Sequence, residues 1–109
     1  MQFVRLFTGD DGQSHFEDMD ASAEGGRFFE TLPVTGLVLK NDPATHLGDF
    51  HTAPRRQYCI TLAGSAEIRV GDGTSRTFVA GDVFLAEDVT GQGHTLVPDN
   101  WARAFVHID

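Results

Sequence analysis

Two histidines far apart in the chain, His51 and His94, are the residues best suited to chemistry. Imidazole changes charge near neutral pH and is also a common metal ligand. Each of the two stands at the edge of a short strand-like run, so folding can bring the rings together. Between them lie Gln57, an oxygen donor, and Arg55, whose planar fork can clamp a carboxylate. Glu87 and Asp88 begin the loop before His94, where a carboxylate can act on the substrate as general base or serve as a supplementary ligand. A blander reading stands beside each: Arg55 as a solvated arginine paired with an acid, Glu87 and Asp88 as solvated loop acids. Cys59 has no adjacent histidine to activate it and reads as a small buried hydrophobe. His15, His46 and His107 read as structural, with His107 lining the interior if Arg103 and Phe105 also face inward.

Positioning such a site falls to short strands. Gln2 to Phe7 alternates polar and apolar residues and stops at the turn cluster Thr8-Gly9-Asp10-Asp11-Gly12. A short strand is expected at His15 to Glu17, then at Phe28 to Leu32 and Thr35 to Lys40, broken by Pro33. Thr45 to Thr52 alternates, with His46 and His51 on opposite faces. Arg56 to Leu62 is the most strand-like segment, placing Arg55, Gln57, Cys59 and Thr61 on one face and Arg56, Tyr58, Ile60 and Leu62 on the other. Gly64 separates it from Ala66 to Val70, and Gly71-Asp72-Gly73 signals a hairpin into Arg76 to Val79. Val83 to Ala86, His94 to Val97 and Ala102 to Ile108 complete about nine runs at regular spacing. That rhythm, with no helical heptad, predicts an all-β sandwich or barrel.

With 109 residues the chain is one domain, 1–109, able to bury a core; 40% hydrophobic content and nine phenylalanines exclude disorder. The formal charge of -8, from sixteen acidic and eight basic residues, argues against nucleic acid, whose phosphates need a basic surface. A single cysteine makes no intrachain disulfide, so a reducing cytoplasm is expected. MQFVRLFTGDDG lacks the apolar core of a secretory signal, and no run is long enough to span a membrane. The apolar face Tyr58-Ile60-Leu62 needs cover, from the N-terminal strand or from a second copy.

Gly48, His51, Gln57 and Gly64, followed by Gly81-Asp82 and His94, resemble the two motifs of the cupin superfamily. The resemblance implies a double-stranded β-helix, the jelly-roll barrel. It also implies a divalent metal, iron, zinc, nickel or manganese, held by His51, Gln57 and His94, and a homodimer. Gln57 stands where the family's motif has a glutamate, Thr52-Ala53 where it has a second histidine, and Glu87 and Pro98 where it has proline and asparagine. Neutral glutamine compensates no metal charge, so a site without metal, in which His51 and His94 bond a ligand, stands beside the metal centre. The expected function is an enzyme acting on a small organic acid inside the barrel, with His51, His94 and Gln57 catalytic and Arg55 and Glu87 holding substrate; dioxygenation, isomerisation, epimerisation and decarboxylation all occur in the family. The alternative is a non-catalytic binding or sensor module.

Overall fold

The computed structural model describes residues 1–20, 31–43 and 48–109, which form seven strands and no helix. They are β1 (Phe3–Thr8), β2 (Ser14–Asp18), β3 (Gly36–Asp42), β4 (Gln57–Val70), β5 (Ser75–Val79), β6 (Val83–Glu87) and β7 (His94–His107). No helix among the described residues is long and apolar enough to cross a membrane. The strands join in one mixed sheet of order β2-β1-β6-β4-β7-β3, with β5 paired to β4. Only the β1–β6 pairing is parallel.

Several expected strands merge or fall away. Arg56 to Leu62 and Ala66 to Val70 are one 14-residue strand, β4, and His94 to Val97 and Ala102 to Ile108 are one 14-residue strand, β7. Residues 28–30 and 45–47, His46 among them, lie outside the described residues; Thr31, Leu32 and 48–52 carry no strand beyond a single bridge at His51.

Gly64 is a bulge inside β4 rather than a break. Its φ is +68°, and a Cβ there would lie 2.0 Å from the Asn100 carbonyl oxygen, so only glycine fits. Asn100, opposite it, has a φ of 46°. The β4–β7 register shifts between Thr61 and Ser65. As a result the buried phase changes in both strands at one level: Gln57, Cys59 and Thr61 give way to Ala66, Ile68 and Val70, and His94 and Pro98 to Trp101. One concave face is therefore covered along its whole length by apolar and selected polar side chains. Phe78, Phe84, Leu6, Ile68 and Trp101 form the bulk of the core beneath it.

The outer face is apolar too. Phe3, Val83, Ile60, Ala104 and Leu39 stand in one registered row across β1, β6, β4, β7 and β3. Phe3, Leu32, Val34, Tyr58, Ile60 and Val106 line a groove of about 250 Å³ there. On the edge strand β3, Leu37 and Leu39 are 63% and 67% exposed.

Alternation also sets the place of Glu87. Phe84 and Ala86 face the concave side, so Val83, Leu85 and Glu87 face out. Glu87 takes Arg5 Nε on Oε1 at 2.6 Å and Arg56 NH2 on Oε2 at 2.6 Å. Burial pushes its carboxyl up, but the two guanidinium groups outweigh burial and hold it below the ordinary 4.5. A depressed carboxylate stabilises the fold above its unfolded-state pKa and loses that contribution as pH falls through the folded value. In urea unfolding, Glu87→Gln should be less stable than the parent chain at pH 7, and the gap should shrink as pH drops below 4.5.

Candidate functional site

The concave face holds a cavity of about 390 Å³ whose mouth is marked by its exposed lining residues, Lys40, His51, Pro54 and Arg55. His51 and His94 meet there. Each donates its backbone N–H to the other's carbonyl at 2.9 Å, closing an isolated antiparallel bridge. Their ring centroids are 4.7 Å apart. Gly93 permits this approach: its φ is +79°, and a Cβ would lie 1.9 Å from the His51 carbonyl oxygen.

Both rings are tied at Nδ1. His51 Nδ1 lies 3.1 Å from the Asp49 carbonyl oxygen, which can only accept. His94 Nδ1 lies 2.6 Å from Asp88 Oδ2, on a carboxylate that is fully buried. Ser14 on β2 donates its hydroxyl to the same Oδ2 at 2.7 Å, and the Asp88 carbonyl accepts the Ala53 N–H at 3.0 Å. Two separate pieces of chain, at Ser14 and at Ala53, thus hold Asp88 against His94.

Of the residues singled out from the sequence, His51, Arg55, Gln57 and His94 line the cavity. Gln57 is buried on β4 opposite Ala86 and His107. Arg55 stands at the mouth, with NH1 3.3 Å from His107 Nδ1. Glu87, expected at the substrate, lies outside the lining, clamped between Arg5 and Arg56 on the other face. Cys59 is buried, and burial pushes its thiol up to about 12 against the pull of nearby Arg103, so it is no nucleophile near neutral pH.

Arg103 and Lys40 were not singled out as site residues, yet both line the cavity with His107. Arg103 lies over the Trp101 ring at 4.2 Å from the centroid, and both cations flank Phe105, at 5.6 Å for Arg103 and 5.9 Å for Lys40. Burial lowers the Arg103 guanidinium from its ordinary value; its NH1 donates to the Trp101 carbonyl at 3.1 Å, and its Nε is buried without a partner. The available signal was alternation: Trp101, Arg103, Phe105 and His107 share one face of β7, as Val38 and Lys40 share one face of β3.

This donor set does not fit a tightly held divalent metal. The groups at hand are two imidazoles and the Gln57 carboxamide, and among the described residues no three His, Cys, Asp or Glu side chains are grouped to hold an ion. Asp88, behind His94, is no free ligand through Oδ2, which already takes bonds from His94 and Ser14. Lys40, Arg55 and Arg103 add positive charge around the same space. Comparison of the chain with family models, with curated proteins and with solved structures finds no match.

Proposed function

We propose that the chain is a cupin-like jelly roll whose cavity binds a small organic acid and that His51 and His94 exchange protons with it. One observation carries this reading: in a chain of net charge -8 the cavity lining contains, among the described residues, Lys40, Arg55 and Arg103 and no acidic side chain. The Asp42 carboxylate acts on the Arg103 guanidinium from nearby, yet Arg103 Nε stays buried without a hydrogen-bond partner, a cost that an anion in the cavity would offset. Val38, Phe84, Leu96 and Phe105 offer the apolar wall that would seat the carbon frame of such an acid. Two imidazoles with Nδ1 engaged leave Nε2 of each for a proton, as isomerisation or epimerisation of an organic acid requires.

A thermal-shift series with acetate, succinate, 2-oxoglutarate and benzoate, against chloride at equal ionic strength, tests the reading. At ten times Kd a ligand specific to the folded state adds about 1.4 kcal/mol, a rise of roughly 5–10 °C for a domain of this size. No response to any acid would overturn it. Stoichiometric iron, zinc, nickel or manganese in protein purified without chelator would instead support the metal centre on His51, Gln57 and His94.

A non-catalytic binding module is the second reading, favoured by the inert Cys59 thiol and by a lining with no carboxylate among the described residues. Stabilisation by an acid that is then recovered unchanged, with no deuterium taken up from heavy water, would select it. The outer row of apolar residues suits a second copy of the chain, because it runs on to exposed Leu37 and Leu39 on the end strand of the described sheet. Light scattering should show twice the chain mass at micromolar concentration, and Leu39→Lys should shift the protein to monomer.

A further inference from the structure

We infer that Asp88 is a positioning residue that fixes the tautomer of His94, with the proton on Nδ1 and the Nε2 lone pair available to the cavity as a proton acceptor. The inference rests on the acid–base reading of the cavity and names the group that makes one of its two histidines the base.

Asp88 is 0% exposed, and a buried carboxylate is retained only where hydrogen bonds compensate it. Both of its compensating bonds converge on Oδ2, from Ser14 Oγ at 2.7 Å and His94 Nδ1 at 2.6 Å, while Oδ1 is buried with no partner. An ionised carboxylate only accepts, so the proton between Asp88 and His94 belongs to Nδ1. Ser14, itself fully buried, stops the carboxylate from rotating away. The His94 main chain is pinned as well, by its paired bonds to His51. Ring, carboxylate and backbone are therefore fixed together.

The two histidines differ in what stands behind them. His51 is backed by the neutral Asp49 carbonyl and is exposed, whereas His94 is buried and backed by a charge. When His94 accepts a proton at Nε2, the ligand's C–H or O–H bond breaks, its electron pair stays on the ligand, and the new positive charge on the ring lies against a carboxylate already in place. Among the described residues, His51 Nδ1 has only the neutral Asp49 carbonyl behind it. The geometry assigns proton abstraction to His94.

Long-range proton–nitrogen correlation of the imidazole rings in the intact chain reads the tautomer directly and needs no ligand. In the neutral ring of His94 the expected result is a protonated Nδ1 and a bare Nε2, the reverse of the form that free histidine favours in water. Ser14→Ala should keep that pattern, since the bond from His94 to Asp88 remains. Asp88→Leu, which removes the acceptor and keeps the branched heavy-atom skeleton, should lose the Nδ1–H signal and gain Nε2–H. A wild-type ring with bare Nδ1, or an unchanged tautomer in Asp88→Leu, would overturn the inference; if Asp88→Leu fails to fold, the wild-type and Ser14→Ala spectra still decide it. A locked tautomer with no thermal response to organic acids would count against the ligand reading alone. A thermal response with the tautomer reversed would count against this inference alone.

Discussion

Arg103→Leu should weaken organic-acid binding by at least about 30-fold, roughly 2 kcal/mol, the usual cost of removing one partner from a desolvated charge pair. Its effect on the ligand-free protein should be small by comparison. The guanidinium gains from lying 4.2 Å over the Trp101 ring, but it also carries the cost of partial burial with Nε unpaired. Replacing it with an apolar chain removes both, so urea unfolding should register a change of no more than about 1 kcal/mol. A large loss of binding with near-parental stability separates an anchor for an anion from a structural arginine. Comparable losses of both would mean that Arg103 serves the core.

Gly93→Ala should be the most damaging single change at the site. The added Cβ would fall 1.9 Å from the His51 carbonyl oxygen and 2.7 Å from the Thr52 nitrogen, both main-chain atoms that cannot swing aside. The backbone at Gly93 also has a φ of +79°, which an L side chain adopts only at a cost. Strain and the broken His51–His94 bridge together should cost about 3 kcal/mol or more in chemical denaturation. Any folded protein that remains should have lost its response to organic acids, because the mouth of the cavity is built on that bridge. A change below about 0.5 kcal/mol would show that residues 51 and 93 do not approach as described.

Much of the strand pattern was legible because alternation is local. The segment from Arg55 to Leu62 already separates Gln57, Cys59 and Thr61 from Tyr58, Ile60 and Leu62, and the burial of β4 follows that division. Gly64 was less transparent. A glycine between two alternating runs reads as a break, and only the partner strand, with Asn100 at positive φ opposite it, makes it a bulge that carries β4 onward. The convergence of His51 and His94 was an expectation from strand edges, but the bond that joins them depends on Gly93, whose role no local pattern shows.

Charges were the hardest to place. Glu87 looked like a loop acid near His94, yet one step of alternation past Ala86 turns it to the outer face, where Arg5 and Arg56, 82 and 31 residues away, neutralise it. Asp88, one residue on, turns inward to a serine 74 residues distant. Adjacent carboxylates thus take opposite fates, and which is which depends on the phase of β6. Single cations on strands usually reach solvent, so neither Arg103 nor Lys40 stands out in the sequence as a site residue; here neighbouring aromatic rings hold both at the cavity wall.

Trp101 is the sole tryptophan, it lines the cavity, and Arg103 stacks on it. Titrating the folded protein with the same organic acids while following its emission therefore reports directly on whether the cavity takes an anion. The account predicts a saturable change with at least one acid, absent with chloride and lost in Arg103→Leu. Emission that stays flat across the whole series, in protein shown to be folded, would contradict it.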